Sequence, residues 1–191
     1  MLAHVALDVR AALSRAECDL YSNLVTRATG RAVRSQLELI LGELAGRRLA
    51  VLDFSRVGVL DFSCADEIVA QLLLRHGAGR RVPVMHGAPA SWFLCRGLHE
   101  AHLEALDPVL EHHELALVAE TQDGVTHLLG VACDDERAAW SLVHESGGGA
   151  ADALAAHGAR ELPALEPWLA VLAQRRLVVD AEGGYWPLRF G

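Results

Sequence analysis

The chain has no lysine: all 17 of its basic residues are arginine. Chemistry that depends on a lysine amine, such as a Schiff base or a phosphate-binding-loop lysine, is therefore excluded. Cysteine is scarce, and the four present, Cys18, Cys64, Cys95 and Cys133, are scattered. Without a CxxC pair or zinc-ligand spacing, the expectation is buried free thiols in a reducing compartment. No apolar run reaches the roughly 18 residues that a membrane span requires. The opening MLAHVALDVR lacks a long apolar stretch and a small-residue cleavage site, so no signal peptide is expected and the expected location is the cytoplasm. Positive charge is also in deficit. The net charge of −8 argues against the phosphodiester backbone as the main partner.

What is present is apolar material. Over 191 residues the hydrophobic content is 52% and the mean hydropathy +0.22, enough for a packed core in one large domain or two small ones. Apolar spacing predicts a helix over residues 10–26, broken at Gly30. A second helix then carries Val33, Leu37, Ile40, Leu41 and Leu44 on one face and ends at Gly46. A buried strand over 49–54 precedes a helix over roughly 64–76, with Ile68, Val69, Leu72 and Leu73 facing inward. Val82 to His86 reads as a strand and Ala90 to Glu104 as a helix. Asp107-Pro108 reads as a cap and first helical residue of a short helix to His113. Leu115–Ala119 and Val125–Val131 read as strands around Gln122-Asp123-Gly124. Beyond Val131 the pattern changes. Asp134 caps a helix that Gly147-Gly148-Gly149 breaks, helices follow over 150–157 and 163–176, and two short strands flank the turn at 180–184.

The segment LAVLDFSRVGVLDFSCADEIVA, residues 49–70, concentrates the functional signal. A strand, a tight connection and a helix opening at Ser63 place a hydroxyl at a helix N-terminus, where unpaired N–H groups favour an anion. Ser63-Cys64-Ala65-Asp66 fits a capping box, which makes Ser63 an N-cap on one reading. On the other it is a phosphoacceptor. A phosphate of roughly −2 beside Asp61, Asp66 and Glu67 would meet like charge, and that repulsion could expel a partner. Asp53 and Asp61 form a carboxylate pair of the kind used in acid–base or Mg²⁺ chemistry. No His, Lys or glycine-rich loop stands near them in sequence, so turn capping is expected instead. Arg27, Arg31 and Arg34, with Thr26, Thr29 and Gly30, form a basic cluster at a loop-to-helix junction. It suits an anion or an acidic partner surface, and Arg34 can pair with Glu38 one turn on. His99-Glu100-Ala101-His102 is not the HExxH metal motif, and no metal or cofactor is implied.

VLDFSRVGVLDFSCADEIVA and the strand–helix–strand run after it resemble the STAS domain, shared by sulfate transporters and bacterial anti-sigma factor antagonists. In that family an LDxS strand leads to a DSSG element and a helix, and the second serine of the tetrad is the phosphorylation site of the antagonists. By position it falls on Ser63. Asp61 is kept, Phe62 replaces the first serine and Cys64 the glycine; SCADEI is similar to a bacterial STAS-like branch of unassigned function. ERAAWSLV, PWLAVLAQRRLVV and GGYWPL resemble a winged helix-turn-helix. The resemblance implies an α/β fold: N-terminal helices over 1–44, a STAS-like domain over 45–131 and a winged-helix-like unit over 132–191. It implies a non-enzymatic bacterial regulator that binds a protein, a kinase-like anti-sigma factor being the family's partner. The expected recognition helix exposes Ala164, Glu166, Ala170 and Gln174, with Arg175 and Arg176 only at its end, so it suits protein better than DNA. The alternatives are a DNA-binding transcriptional regulator with a STAS-like sensory domain, and an enzyme using Asp53, Asp61 and Ser63. Self-association is left open.

Overall fold

Strands and helices alternate through the first of two compact units, Met1–Val131; the second is Ala132–Gly191. The structure, a computed structural model, describes residues 3–15, 23–43, 46–77 and 91–189. In the first unit β1 (Ala3–Asp8), β3 (Arg48–Asp53), β5 (Ser91–Leu98), β6 (Ala116–Thr121) and β7 (Thr126–Gly130) form one mixed sheet in that order. The first four are parallel and β7 is antiparallel to β6. Because these parallel strands neighbour one another in chain order, every crossover steps the same way, and right-handed crossovers then gather the helices on one face. That face holds the core, where Leu52, Phe54, Phe93, Cys95 and Leu117 meet Leu37, Leu41, Ile68, Leu72 and Leu106.

Several expectations are corrected. Residues 3–8 form a strand: Val5 and Leu7 turn to the core while His4 and Ala6 stay exposed, a two-residue period. This strand pairs with β3, so the sheet runs across the boundary drawn at 44/45. Within the expected helix 10–26, α1 spans Val9–Arg15, opened by Asp8, whose carboxylate accepts from Ala11 N at 2.9 Å, and β2 (Asn23–Leu24) replaces the end. Helix α2 (Arg27–Gly42) contains Gly30 rather than stopping at it, because Thr26 is the N-cap, accepting from Thr29 N at 3.1 Å. Ser91–Leu98 is a strand where a helix was expected. Ser91 to Cys95 are all buried, and a strand covered on both faces shows no alternation to mark it. Helix α5 (Glu100–His112) then runs through Asp107-Pro108, and Asp107 accepts from Gly130 N at 2.6 Å instead of capping. The strand expected at 82–86 and Leu44 lie outside the described residues.

The expected helix 64–76 is continuous but composite: α3 (Phe62–Ala65), a π turn (Asp66–Ala70) and α4 (Gln71–His76). The short strand β4 (Val59–Leu60) leads into it and pairs in parallel with β2.

The second unit follows expectation more closely: α6 (Asp134–Ser146), α7 (Ala151–His157) and α8 (Leu162–Gln174) precede a hairpin of β8 (Val178–Ala181) and β9 (Gly184–Pro187). The N-cap of α6 is Cys133, not Asp134, and that thiol is exposed, whereas Cys64 and Cys95 are buried as expected. Cys18 lies outside the described residues. Gly149 and Tyr185 exchange backbone hydrogen bonds of 3.0 and 2.9 Å, joining the glycine run to the hairpin. Gly148, at φ +96°, admits no side chain: a Cβ would lie 2.6 Å from the Trp186 ring. Inside, Glu136 accepts from Cys133 N at 2.8 Å and from Arg175 at 2.9 Å, both side chains being buried.

Candidate functional site

Helix α3 begins one residue after Asp61, and this aspartate is its cap. Asp61 Oδ1 accepts from Cys64 N at 2.8 Å. The capping box expected from Ser63 and Asp66 is therefore displaced by two residues. Ser63 lies inside the helix and donates its hydroxyl to Asp61 at 2.9 Å and 3.1 Å. Asp61 is anchored in turn, since its own N–H donates to Leu24 O at 2.8 Å, continuing the β2–β4 ladder. Cys64 donates to Thr26 O at 2.9 Å, and its pKa is pushed up to about 12, by burial first and by the Asp61 charge second. A thiol held protonated in this way is a packing group rather than a nucleophile.

The π turn explains how two adjacent carboxylates come to be enclosed. Gln71 N donates to Asp66 O, five residues back, and all five residues Asp66–Ala70 are buried. An α-helix with one inward stripe does not bury five residues in a row; here both α2 and α5 pack against the π turn, in addition to the sheet-facing core. Asp66 and Glu67 meet the arginines of α2. Arg27 reaches Asp66 at 2.8 Å and Glu67 at 3.2 Å, Arg31 reaches Glu67 at 3.4 Å, and Arg34 reaches Glu67 at 3.2 Å. Arg34 also pairs with Glu38 at 3.1 Å, as its spacing suggested. His113, just past the end of α5, holds the other oxygen of Asp66 at 2.8 Å. Burial pushes both carboxyls up. For Asp66 the bonds from His113 and Arg27 outweigh it, and for Glu67 those from Arg34, Arg27 and Arg31, so both titrate below their ordinary range.

The structure thus joins Asp66 and Glu67 to Arg27, Arg31 and Arg34, and Asp61 to Ser63. The negative groups are largely buried, and the side chains of Arg27 and Arg31 that cover them are more than half exposed. Asp53 belongs elsewhere: it accepts from Ser55 N at 2.9 Å, pairs with Arg96 at 3.1 Å and stands in register with Asp8 of β1. His113 was missed because only the fold brings it to Asp66, 47 residues away in sequence. His99 and His102 form a packed pair with ring centroids 3.5 Å apart. His102 is fully buried beside Phe54, and its pKa is pushed down to about 4 by burial first and His99 second, with a weaker opposing pull from the Gly58 carbonyl.

Gly30 lets α2 approach this assembly. A Cβ there would lie 3.0 Å from both Cys64 Cα and Glu67 Cβ. Gly30→Ala is expected to be nearly neutral, since about 1 kcal/mol of gained helix propensity offsets a small displacement. Gly30→Val should cost about 1–3 kcal/mol through overpacking. Urea unfolding of the two variants checks this, and a valine variant as stable as wild type would contradict the close approach.

Three apolar side chains surround the Asp61–Ser63 pair without being covered: Val25, Val59 and Phe62, each about half exposed. Val59 lies in β4, Val25 follows Leu24 of β2 beside Asp61, and Phe62 opens α3. Nothing in the alternation of the sequence distinguishes them from core residues. Among the described residues no helix is long and apolar enough to cross a membrane. Compared with known proteins, the chain matches no family model and no curated protein.

Proposed function

We propose that this chain is a non-enzymatic, cytoplasmic bacterial regulator that binds another protein through the surface around Asp61 and Ser63. The observation that carries this reading is the group of exposed apolar side chains, Val25, Val59 and Phe62, set around a serine hydroxyl at a helix start. Apolar side chains grouped on an otherwise polar surface mark interaction sites more often than scattered ones do. The first unit is read as STAS-like and the second as winged-helix-like, and a kinase-like anti-sigma factor is the partner class the resemblance implies. Ser63 is the switch in this scheme. Its phosphorylation would remove the hydroxyl donor to Asp61 and set a charge of roughly −2 against that carboxylate, loosening the start of α3 and the docking surface with it.

Intact-mass spectrometry of the protein from its native host, with pull-downs by wild type, Ser63→Ala and Phe62→Asp, tests the proposal. The expected result is a partner retained by wild type and weakened at least about tenfold by Phe62→Asp, with Ser63 phosphorylated or its alanine variant trapping or losing that partner. An unmodified Ser63 and a set of partners indifferent to both substitutions would overturn it. The enzyme reading finds less support, because Asp53 is engaged with Arg96 and Ser55 rather than with Asp61 and Ser63. DNA binding is the second reading. The order of three helices and a hairpin favours it, and the exposed side of α8, which carries Glu166 and no arginine, speaks against it.

A further inference from the structure

The exposed apolar group around Asp61 adjoins a pair of arginines. Asp61 N donates to Leu24 O at 2.8 Å and Cys64 Sγ to Thr26 O at 2.9 Å. Val25 lies between those two acceptors and Phe62 between those two donors, so their chain segments run side by side; Val59 stands in register with Asn23. Arg27, two residues after Val25, opens α2, and Arg31 follows about one turn later. The two guanidinium heads converge: Arg27 Nη1 and Arg31 Nη2 lie 3.2 Å and 3.4 Å from the same oxygen, Glu67 Oε1. Asp66 and Glu67 position these heads without using all their donors. Among the described residues Arg27 donates through Nη1 alone and Arg31 through Nη2 alone, which leaves Nε and the second terminal nitrogen of each for another acceptor. The carboxylates are nearly enclosed and hold further partners, Arg34 on Glu67 and His113 on Asp66, whereas the two arginine side chains are 51% and 63% exposed. The connected network sets Arg27, Arg31, Arg34 and Arg75 against Asp66, Glu67 and Glu38, one cation in excess. Asp61 is engaged by the Ser63 hydroxyl and Cys64 N.

We propose that this face docks an acidic amphipathic segment of a protein partner. Its apolar side chains rest on Val25, Val59 and Phe62, and its carboxylates accept from the unused donors of Arg27 and Arg31. Charge-assisted bonds to a guanidinium already held in place lose little side-chain freedom on binding, and the apolar contacts supply the buried area. A nucleic acid complements only half of the face, because its phosphates suit the arginines and leave Val25 and Phe62 uncovered. The proposal rests on the docking surface around Asp61 and Ser63 and adds the chemistry of what docks there.

The test titrates the isotope-labelled intact chain, followed by amide NMR shifts, with a synthetic peptide of leucine and glutamate at amphipathic spacing, with its lysine counterpart and with a short DNA duplex. The expected result is saturable binding of the glutamate peptide alone, with shifts concentrated in residues 24–31 and 59–67. Arg27→Gln combined with Arg31→Gln should weaken it at least about tenfold. Arg31→Gln alone, which leaves Glu67 held by Arg27 and Arg34, should weaken it at least about threefold. Arg160→Gln, at an exposed position in the other unit, should change it by less than about twofold. The unchanged remainder of each spectrum shows that the variants are folded. No binding of the glutamate peptide, equal weakening by Arg160→Gln, or the lysine peptide or duplex DNA engaging these same residues would each overturn the proposal. In the pull-down, a partner lost with Phe62→Asp yet retained by the two arginine variants would overturn the acidic character alone, and a partner indifferent to all three would overturn the docking surface as well.

Discussion

Glu136→Ala should destabilise the C-terminal unit by about 3–5 kcal/mol, the usual cost of removing one partner of an enclosed ion pair. Glu136 is fully buried and Arg175 nearly so, with 2.9 Å between them. The carboxylate has a second task, accepting the Cys133 N–H that opens α6. Removing it takes the paired carboxylate from a nearly buried guanidinium and leaves a helix terminus unsatisfied. Glu136→Leu with Arg175→Met should be far milder, because the cost lies in the uncompensated charge and not in loss of the attraction. Tryptophan fluorescence in a urea titration reports this unit preferentially, as Trp140, Trp168 and Trp186 of the four tryptophans lie in it. A single variant losing less than about 1 kcal/mol would show that the interior admits water to Arg175.

Glu67→Gln should cost less, about 2 kcal/mol, although Glu67 is as poorly exposed as many core residues. Its cover consists partly of Arg27 and Arg31, whose side chains are more than half exposed, so solvent screens the pair more than it does the Glu136 pair. The substitution should also change the acid limb of stability. The folded pKa values of Asp66 and Glu67 are lowered, so between their unfolded values near ~4 and the lower folded ones the unfolded chain binds more protons. Their stabilisation is fully present above the unfolded values and lost as the pH falls through the folded ones. His102 acts in a higher window: with a folded pKa of about 4 against an ordinary ~6.5, it removes stability across that interval as the pH falls. Glu67→Gln should therefore flatten the limb below about pH 4 and leave the upper one intact. Urea midpoints measured from pH 7 to pH 3 separate the two, and an unchanged lower limb would mean that the arginines do not hold Glu67 in solution.

The sequence made some of this legible and hid the rest for identifiable reasons. The inward faces of Ile68, Val69, Leu72 and Leu73 and the three helices and hairpin of the C-terminal unit were readable, because local periodicity and glycine breaks specify them. Strand β5 was not, since a run buried on both faces looks the same at strand and helix spacing. The arginine cluster and the Asp66-Glu67 pair were each visible as charge. That one answers the other depends on a π turn and a glycine contact, neither of which has a pattern of its own. The Ser63 capping box failed because Asp61, two residues earlier and fixed by its bond to Leu24, caps Cys64 N and starts the helix there, so that Ser63 already lies in its first turn.

The parallel sheet also dictates an order of events during synthesis. Strand β1 leaves the ribosome early, yet its partner β3 begins at Arg48 and β3's other neighbour only at Ser91. The nascent first unit must therefore wait, with Leu7 and its neighbours unsheltered, until β5 has emerged. The last 60 residues close their contacts locally and can fold soon after they appear. Slow translation or chaperone binding over residues 54–90 should thus influence the yield of the first unit far more than that of the second.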